Sequence, residues 1–244
     1  AQSLDSQAKE AGVVLCPGVG FDVVPTDCVA MKLKETLPDA THLSLGFDSR
    51  AGFSPGTAKT SIEGMAEGGK VRRNSQINTV KLAYGVKQID FGAGVKQAMT
   101  IHWDDVSTAY HTTGIPNIET YIPAPDGLIR FSKIANWVRP LLGLQAVQNF
   151  LKKQVDKRIQ GPTEHERATL PTFVWGHARN GKGETATVRI KTKHPYELTI
   201  DSAVTIASHL VHRTDAAGAY TPAKLMGSKF VESLPGSGLL TVEV

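Results

Sequence analysis

An unbroken apolar run, Val13-Val-Leu-Cys16, passes straight into a glycine-rich turn, Pro17 to Asp22, and then into a helical pattern. Upstream, residues 3–11 hold helix formers, and Gly12 stands where a helix-terminating glycine belongs. Downstream, Pro25-Thr-Asp27 opens a helix whose apolar positions Val29, Leu33 and Leu37 recur every four residues and stop before Pro38. Helix, strand, glycine turn and helix in this order form the end of a βαβ unit, so the fold class is α/β. A strand of this kind is expected to be buried on both faces of a parallel sheet. It needs a parallel neighbour, and the pattern places that neighbour upstream of Ala1.

Beyond Pro38, Thr41–Asp48 alternates like a strand through Leu43, Leu45 and Phe47, and Ser54-Pro-Gly-Thr leads a helix to about Glu67, closed by Gly68-Gly69. Residues 86–122 read as irregular with short strands at Ala98–Ile101 and Ile118–Ile122, and a helical stretch from Gly127 to about Gln160 breaks near Pro140 and Gly143. Thr172–Ala178 and Thr185–Thr192 flank an Asn-Gly turn and predict a hairpin, to which Tyr196–Ile200 adds a third strand. Asp201–Val211 predicts a helix with Ala203, Ile206, Ala207 and Leu210 on one face, and Pro222 begins a short last one.

Composition bounds the function more than it defines it. A net charge of +4 over 244 residues suits an anionic ligand and is too small to argue for nucleic acid. Cys16 and Cys28 have no partner motif and read as buried thiols in a reducing, cytoplasmic compartment. No apolar run reaches the length of a membrane span. The opening Ala1-Gln-Ser-Leu-Asp has neither a methionine nor a signal-peptide pattern, so the chain is expected to continue upstream.

Gly18-Val-Gly20 after a strand and before a helix invites a dinucleotide-binding reading. The full fingerprint fails, because its third glycine position holds Val23 and no acidic strand end follows at the right distance. What remains is an open-backbone crevice at a helix N-terminus, with Asp22 either capping the helix or facing a ligand.

Longer motifs carry more. Gly18-Val-Gly-Phe-Asp-Val-Val-Pro-Thr-Asp27 resembles the Gly-Phe-Asp-x-x-Pro-x-Asp signature of saccharopine dehydrogenase-like oxidoreductases. Phe53-Ser-Pro-Gly-Thr-Ala58 is similar to that family's Ser-Gly-Gly-Thr helix start, with Pro55 in place of the commoner glycine. Residues 103–118 resemble its Trp-Gly-Asp-x-x-Thr-Ala-Tyr-His-x-Thr-Gly-Ile-Pro-Asn segment, with Asp104 for the glycine and His102 where proline is usual. Gly161-Pro-Thr-x-x-x-Arg167 and Thr221-Pro-Ala-x-x-x-Gly227 match further blocks.

The resemblance implies a nicotinamide-dependent oxidoreductase, acting on a C=N or C=C bond of a small-molecule or acyl/lipid-linked substrate, since relatives include trans-acting enoyl reductases. It implies that residues 1–38 are the tail end of a Rossmann domain and hinge helix. Residues 39–244 would be a saccharopine reductase-like α/β domain with a mixed sheet and covering helices, forming a homodimer. Gly18, Gly20, Phe21, Asp22 and Pro25 would lie near the nicotinamide. The pyrophosphate loop would be upstream, so the chain alone is expected to bind the cofactor poorly and to be inactive. The cofactor is NADP or NAD, with NADP taken as the reading; the residue that discriminates would also be upstream.

Hydride chemistry belongs to the cofactor, so the protein supplies orientation and a proton donor or acceptor. Tyr110 and His111 are the candidates, in what reads as a polar loop with Asp104, Asp105, Thr112 and Thr113; the plainer reading is that they satisfy loop backbone. Ser54, Gly56, Thr57 and Thr113 are candidate substrate contacts, with ordinary N-capping the alternative for the first three. Arg72 and Arg73 could serve an acidic substrate, with a solvated face the plainer reading. No metal site is expected: His102, Asp104, Asp105 and His111 have no coordinating spacing.

Residues 128–159 carry Arg130, Lys133, Arg139, Lys152, Lys153, Lys157 and Arg158 against one acid, Asp156, interleaved with Phe131, Trp137 and Phe150. A helix covering a sheet with its lysines in water is the plainer reading, and peripheral membrane contact is the other. The remaining alternative for the whole chain is a non-catalytic binding or dimerisation module.

Overall fold

The computed structural model describes residues 2–50, 52, 54–212 and 216–244. The opening pattern forms as read: α1 (Asp5–Glu10) ends before Gly12 at φ +65°, β1 (Val14–Leu15) follows, and α2 (Val24–Thr36) comes after the glycine turn. Then come β2 (Ala40–Ser49), α3 (Pro55–Glu67), β3 (Gly69–Arg73), β4 (Gln76–Val80), β5 (Val86–Asp90) and β6 (Val95–Ile101). Helix α4 (Asp105–Thr113) and β7 (Asn117–Pro123) lead into α5 (Asp126–Ala135), α6 (Arg139–Leu142), α7 (Gln145–Arg158) and α8 (Glu164–Thr169). The last part is β8 (Thr172–Asn180), β9 (Thr185–Thr192), α9 (Pro195–Val211), β10 (Gly218–Ala219), α10 (Pro222–Met226), α11 (Phe230–Ser233) and β11 (Thr241–Glu243).

The architecture is mixed α/β. Among the described residues, nine strands form a mixed sheet in which β11, β9, β8, β2 and β7 lie side by side. Only β2 and β7 run parallel; the other pairs are antiparallel. Beyond β7 the sheet forks. The first half of β7 meets β3 at the Arg72–Ile118 pair, and the second half pairs with β6 from Ile101–Thr120 to Ala98–Pro123.

Two expectations about the opening strand are corrected. Its parallel neighbour is β10, far downstream, with Val14 opposite Gly218 and Leu15 opposite Ala219. Its two residues are half-buried rather than enclosed, because this two-stranded sheet has nothing like the cover of a central strand.

Helix α2 organises the core. Val29 and Leu33 are fully buried, each contributing about 1.5–3 kcal/mol by removal from water, and they lie flat on β8 because Gly176 makes room. A methyl group at Gly176 would stand 2.5 Å from Val29 Cγ1 and 2.8 Å from Leu33 Cδ1. Leu43, Leu45 and Phe47 of β2 enter the same core, as their alternation predicts. The opposite face of the sheet is covered near Tyr121 and Trp175 by Ile89, Phe91 and Ala98 of the β5–β6 hairpin. Where the hairpin ends, His42, Arg73, Lys87, Glu119, His177 and Arg179 line a polar depression of about 290 Å³.

Tyr196–Ile200 is not a strand but the start of α9, where Pro195 in the first turn and the inward stripe Leu198, Ser202, Ile206 favour a helix. Among the described residues no helix is long and apolar enough to cross a membrane.

Candidate active site

The glycine turn is built by packing against α9. Gly18 holds φ +71°, and a methyl there would meet Val23 Cγ2 at 2.8 Å, so only glycine suits this corner. The Phe21 N–H donates to Thr199 Oγ1 at 3.0 Å, and the Val19 carbonyl accepts from Ser202 Oγ at 2.6 Å. Phe21 turns inward, edge-on to Phe47 at 5.3 Å, and Phe47 in turn packs on Trp103 at 4.9 Å. Trp103 Nε1 closes the circuit by donating to the Asp22 carbonyl at 2.9 Å. Gly18 and Asp22 are exposed, Gly20 is half-buried, and Phe21 and Pro25 are buried behind the turn.

The capping role expected for Asp22 is not realised: α2 begins after Val23 without a side-chain cap. Pro25 in that first turn has no N–H to satisfy, which lowers the demand for one. Asp22 is exposed as a residue, but partial desolvation of its carboxyl raises it, and Asp104 adds to the shift.

Beneath the turn lies a buried polar cluster that single-segment reading does not show. Asp27 accepts from the Thr112 hydroxyl and, at 2.8 Å, from the Ala223 N–H; Thr112 and Thr221 hydroxyls meet at 2.6 Å. Burial pushes the Asp27 carboxyl up to about 6, against the lowering effect of its hydrogen bonds from Thr112, Ala223 and Thr221. Thr26 Oγ1 donates to Asp105 at 2.7 Å, and burial drives that carboxyl well above the ordinary range. Its second oxygen has no partner among the described residues. Segments 18–27, 103–118 and 221–227 therefore converge on one buried network. The available signal was Asp27 itself, a carboxylate set among Val23, Val24, Cys28 and Val29.

Tyr110 and His111 sit on a helix, not in a loop. Asp105, Val106, Ala109 and Thr113 of α4 are buried, and Gly114 ends it in the left-handed conformation at φ +71°. Arg72 is buried rather than solvated. Its Nε donates to the Val106 carbonyl at 2.6 Å, its Nη1 to the Ser75 carbonyl at 2.5 Å, and its guanidinium lies 4.1 Å from the Tyr110 ring centre. Arg73 instead pairs with Glu119. The Tyr110 and His111 rings meet edge-on at 5.8 Å. Burial, then Arg72 and Lys224, hold the His111 pKa below the ordinary histidine value, so its imidazole is neutral at pH 7. A half-buried neutral imidazole beside a phenol is a competent proton acceptor and donor pair.

The other candidates are engaged locally. Ser54 Oγ caps α3, accepting from the Thr57 N–H at 3.1 Å and meeting Thr57 Oγ1 at 3.0 Å. Gly56 lies in that first turn, and a methyl on Gly161 would stand 3.4 Å from Pro55, so the blocks at 54–58 and 161–167 are also neighbours. Phe53 lies outside the described residues. Thr113 donates to the Ala109 carbonyl at 2.6 Å and accepts from the Ile115 N–H at 3.1 Å. Among the described residues no hydrogen bond joins the Ser54–Thr57 turn to Tyr110 or His111. No group of three or more His, Cys, Asp or Glu among them gathers as a metal site. Burial pushes the Cys16 thiol up to about 11 and Cys28 further, which leaves both as poor nucleophiles.

No protein-family model matches this chain, and no curated protein sequence matches it. Nineteen chains of solved structures do match. One is apo histidine-tagged saccharopine dehydrogenase (L-Glu forming) from Saccharomyces cerevisiae, with a TM-score of 0.56 and 10% identity, covering 99% of this chain and 76% of that one. At that identity the likeness establishes a distant saccharopine dehydrogenase-like fold.

Proposed function

We propose that this chain is the substrate-side portion of an NAD(P)-dependent oxidoreductase that reduces or oxidises a C=N or C=C bond. The observation that carries the reading is the placement of the Tyr110–His111 pair. It lies on α4, just after Trp103, whose indole N–H donates to the Asp22 carbonyl of the glycine turn, within a saccharopine dehydrogenase-like fold.

A nicotinamide cofactor would supply the hydride. Gly18, Gly20 and Asp22 are exposed or half-exposed in the turn and would face it, with Phe21 and Pro25 bracing them from behind. His111 Nε2 or Nδ1 accepts a proton in the neutral state that burial favours. The Tyr110 hydroxyl donates or relays one, and Arg72 fixes the phenol ring by lying against its face. Ser54, Gly56 and Thr57 form a helix N-terminus suited to a substrate carboxylate or carbonyl.

The test is turnover with NADPH and with NADH in the natural protein that carries this chain. Tyr110→Phe or His111→Ala is expected to lower kcat at least about a hundredfold, the ordinary contribution of a general acid or base. Unchanged turnover in both variants removes the assignment.

A second reading, a dimerisation module, is favoured by one observation. Helix α9 turns Ile200, Val204, Ala207 and Val211 outward at helical spacing, with Ile200 58%, Val204 63% and Val211 79% exposed. A Val204→Glu variant that leaves the native mass unchanged would remove that reading.

A further inference from the structure

Helix α5 docks by a single stripe. Ile129 packs with Met99 and Ala124, Ser132 reaches the Met99 sulfur, and Ala135 is buried beyond them. Phe131 and Ile134 belong to the adjoining stripe, which nothing covers; they are 57% and 65% exposed. Further along the same segment, Trp137 is 88%, Leu141 56%, Leu144 53% and Phe150 60% exposed. Helix α7 buries only Val155, and α3, which it packs against, has no buried residue. The plainer expectation, apolar residues on the sheet and lysines alone in water, therefore holds for one stripe of α5 and fails for the rest of the segment. A monomer seldom leaves so many large apolar side chains together without a use.

The charge around this patch identifies the occupant. Arg130 and Lys133 of α5 and Lys153, Lys157 and Arg158 of α7 have no acidic partner among the described residues. Nearby, Lys152 pairs with Glu63 and Lys59 with Asp156. An apolar centre, a tryptophan at its most exposed point and a cationic margin match an anionic lipid interface. Phosphates there meet lysine and arginine, the indole sits at headgroup level, and aliphatic and phenyl groups enter the acyl boundary. A second copy fits less well, since a two-fold contact would bring two positive margins together.

We propose that the α5–α7 surface seats this protein on anionic membranes, lying on the bilayer rather than crossing it. The proposal is independent of the redox reading, because nothing in it involves Tyr110, His111 or the glycine turn.

The experiment is co-sedimentation of the full chain with phosphatidylcholine vesicles and with vesicles that also contain phosphatidylglycerol. Tryptophan emission is followed in parallel. Preferential binding to the anionic vesicles is expected, weakening with salt and accompanied by a blue shift. Neutralising Lys153, Lys157 and Arg158 to Gln should weaken binding about fivefold per residue. The F131S/I134S/W137S variant changes only exposed positions, so it should fold, yet it should lose the binding and the shift. No sedimentation with either vesicle, or binding unaltered in both variants, would overturn the proposal. So would a concentration-dependent dimer that the triple substitution abolishes while vesicle binding is absent.

Discussion

Asp27 shows how one side chain couples distant segments and sets a pH dependence. Its folded carboxyl titrates at about 6 because burial outweighs the hydrogen bonds from Thr112, Ala223 and Thr221. An ordinary aspartate in the unfolded chain titrates near 3.8. Below the unfolded value both states hold the proton and the contribution is complete. As pH rises towards about 6 the unfolded state ionises first, so this stability is progressively lost. Asp105, raised in the same direction by burial, adds to the loss. Holding this carboxyl at about 6 rather than 3.8 corresponds to about 3 kcal/mol. Asp27→Asn is therefore expected to flatten the fall in urea-unfolding stability between pH 4.5 and 7 relative to the native chain. An identical slope would contradict the burial assigned to this group. Thr112 and Thr221 lie far from Asp27 in the chain, so no spacing rule joins them; only the fold does.

At the scale of elements, strongly periodic segments were legible and tertiary-driven ones were not. The α2 spacing Val29, Leu33, Leu37, the β2 alternation and the β8–β9 hairpin all formed as read, because their periods match their burial. Helix α4 escaped because Ser107, Thr108, Thr112 and Thr113 are weak helix formers, and its helix rests on burying Val106 and Ala109. The first turn of α9 resembled a strand through Tyr196, Leu198 and Ile200, but the four-residue recurrence from Leu198 to Ile206 decides. That turn matters to the candidate site, since Thr199 and Ser202 hold the glycine turn. Removing both hydroxyls, T199V/S202A, is expected to cost about 1–3 kcal/mol and speed exchange of the Phe21 amide. Unchanged protection of Phe21 would show that the turn stands without α9.

Over the whole molecule the parts are unequally fastened. Helix α2 is enclosed by the sheet, α4, α10 and α11, whereas α3, α6 and α7 lean mainly on one another. Native-state hydrogen exchange should find α3 and α7 opening well below the global unfolding free energy, and α2 only near it. Equal protection would mean the outer helices are integral to the core. The sequence motifs pointed to the candidate site by resemblance, and the fold joins three of them at Asp27; the α4 helix and the buried Arg72 had to be seen in three dimensions. The central claim is that a nicotinamide cofactor meets this chain at the Gly18–Asp22 turn, with Tyr110 and His111 as the proton-transfer pair. The most direct measurement is a titration of NADPH into the nitrogen-15-labelled chain, followed by amide chemical shifts. Concentration-dependent shifts at Gly18, Gly20, Asp22 and His111, even if binding is weak, are predicted. Unmoved amides there, or shifts gathered instead around Arg73, Lys87 and Arg179 on the opposite face of the sheet, would contradict it.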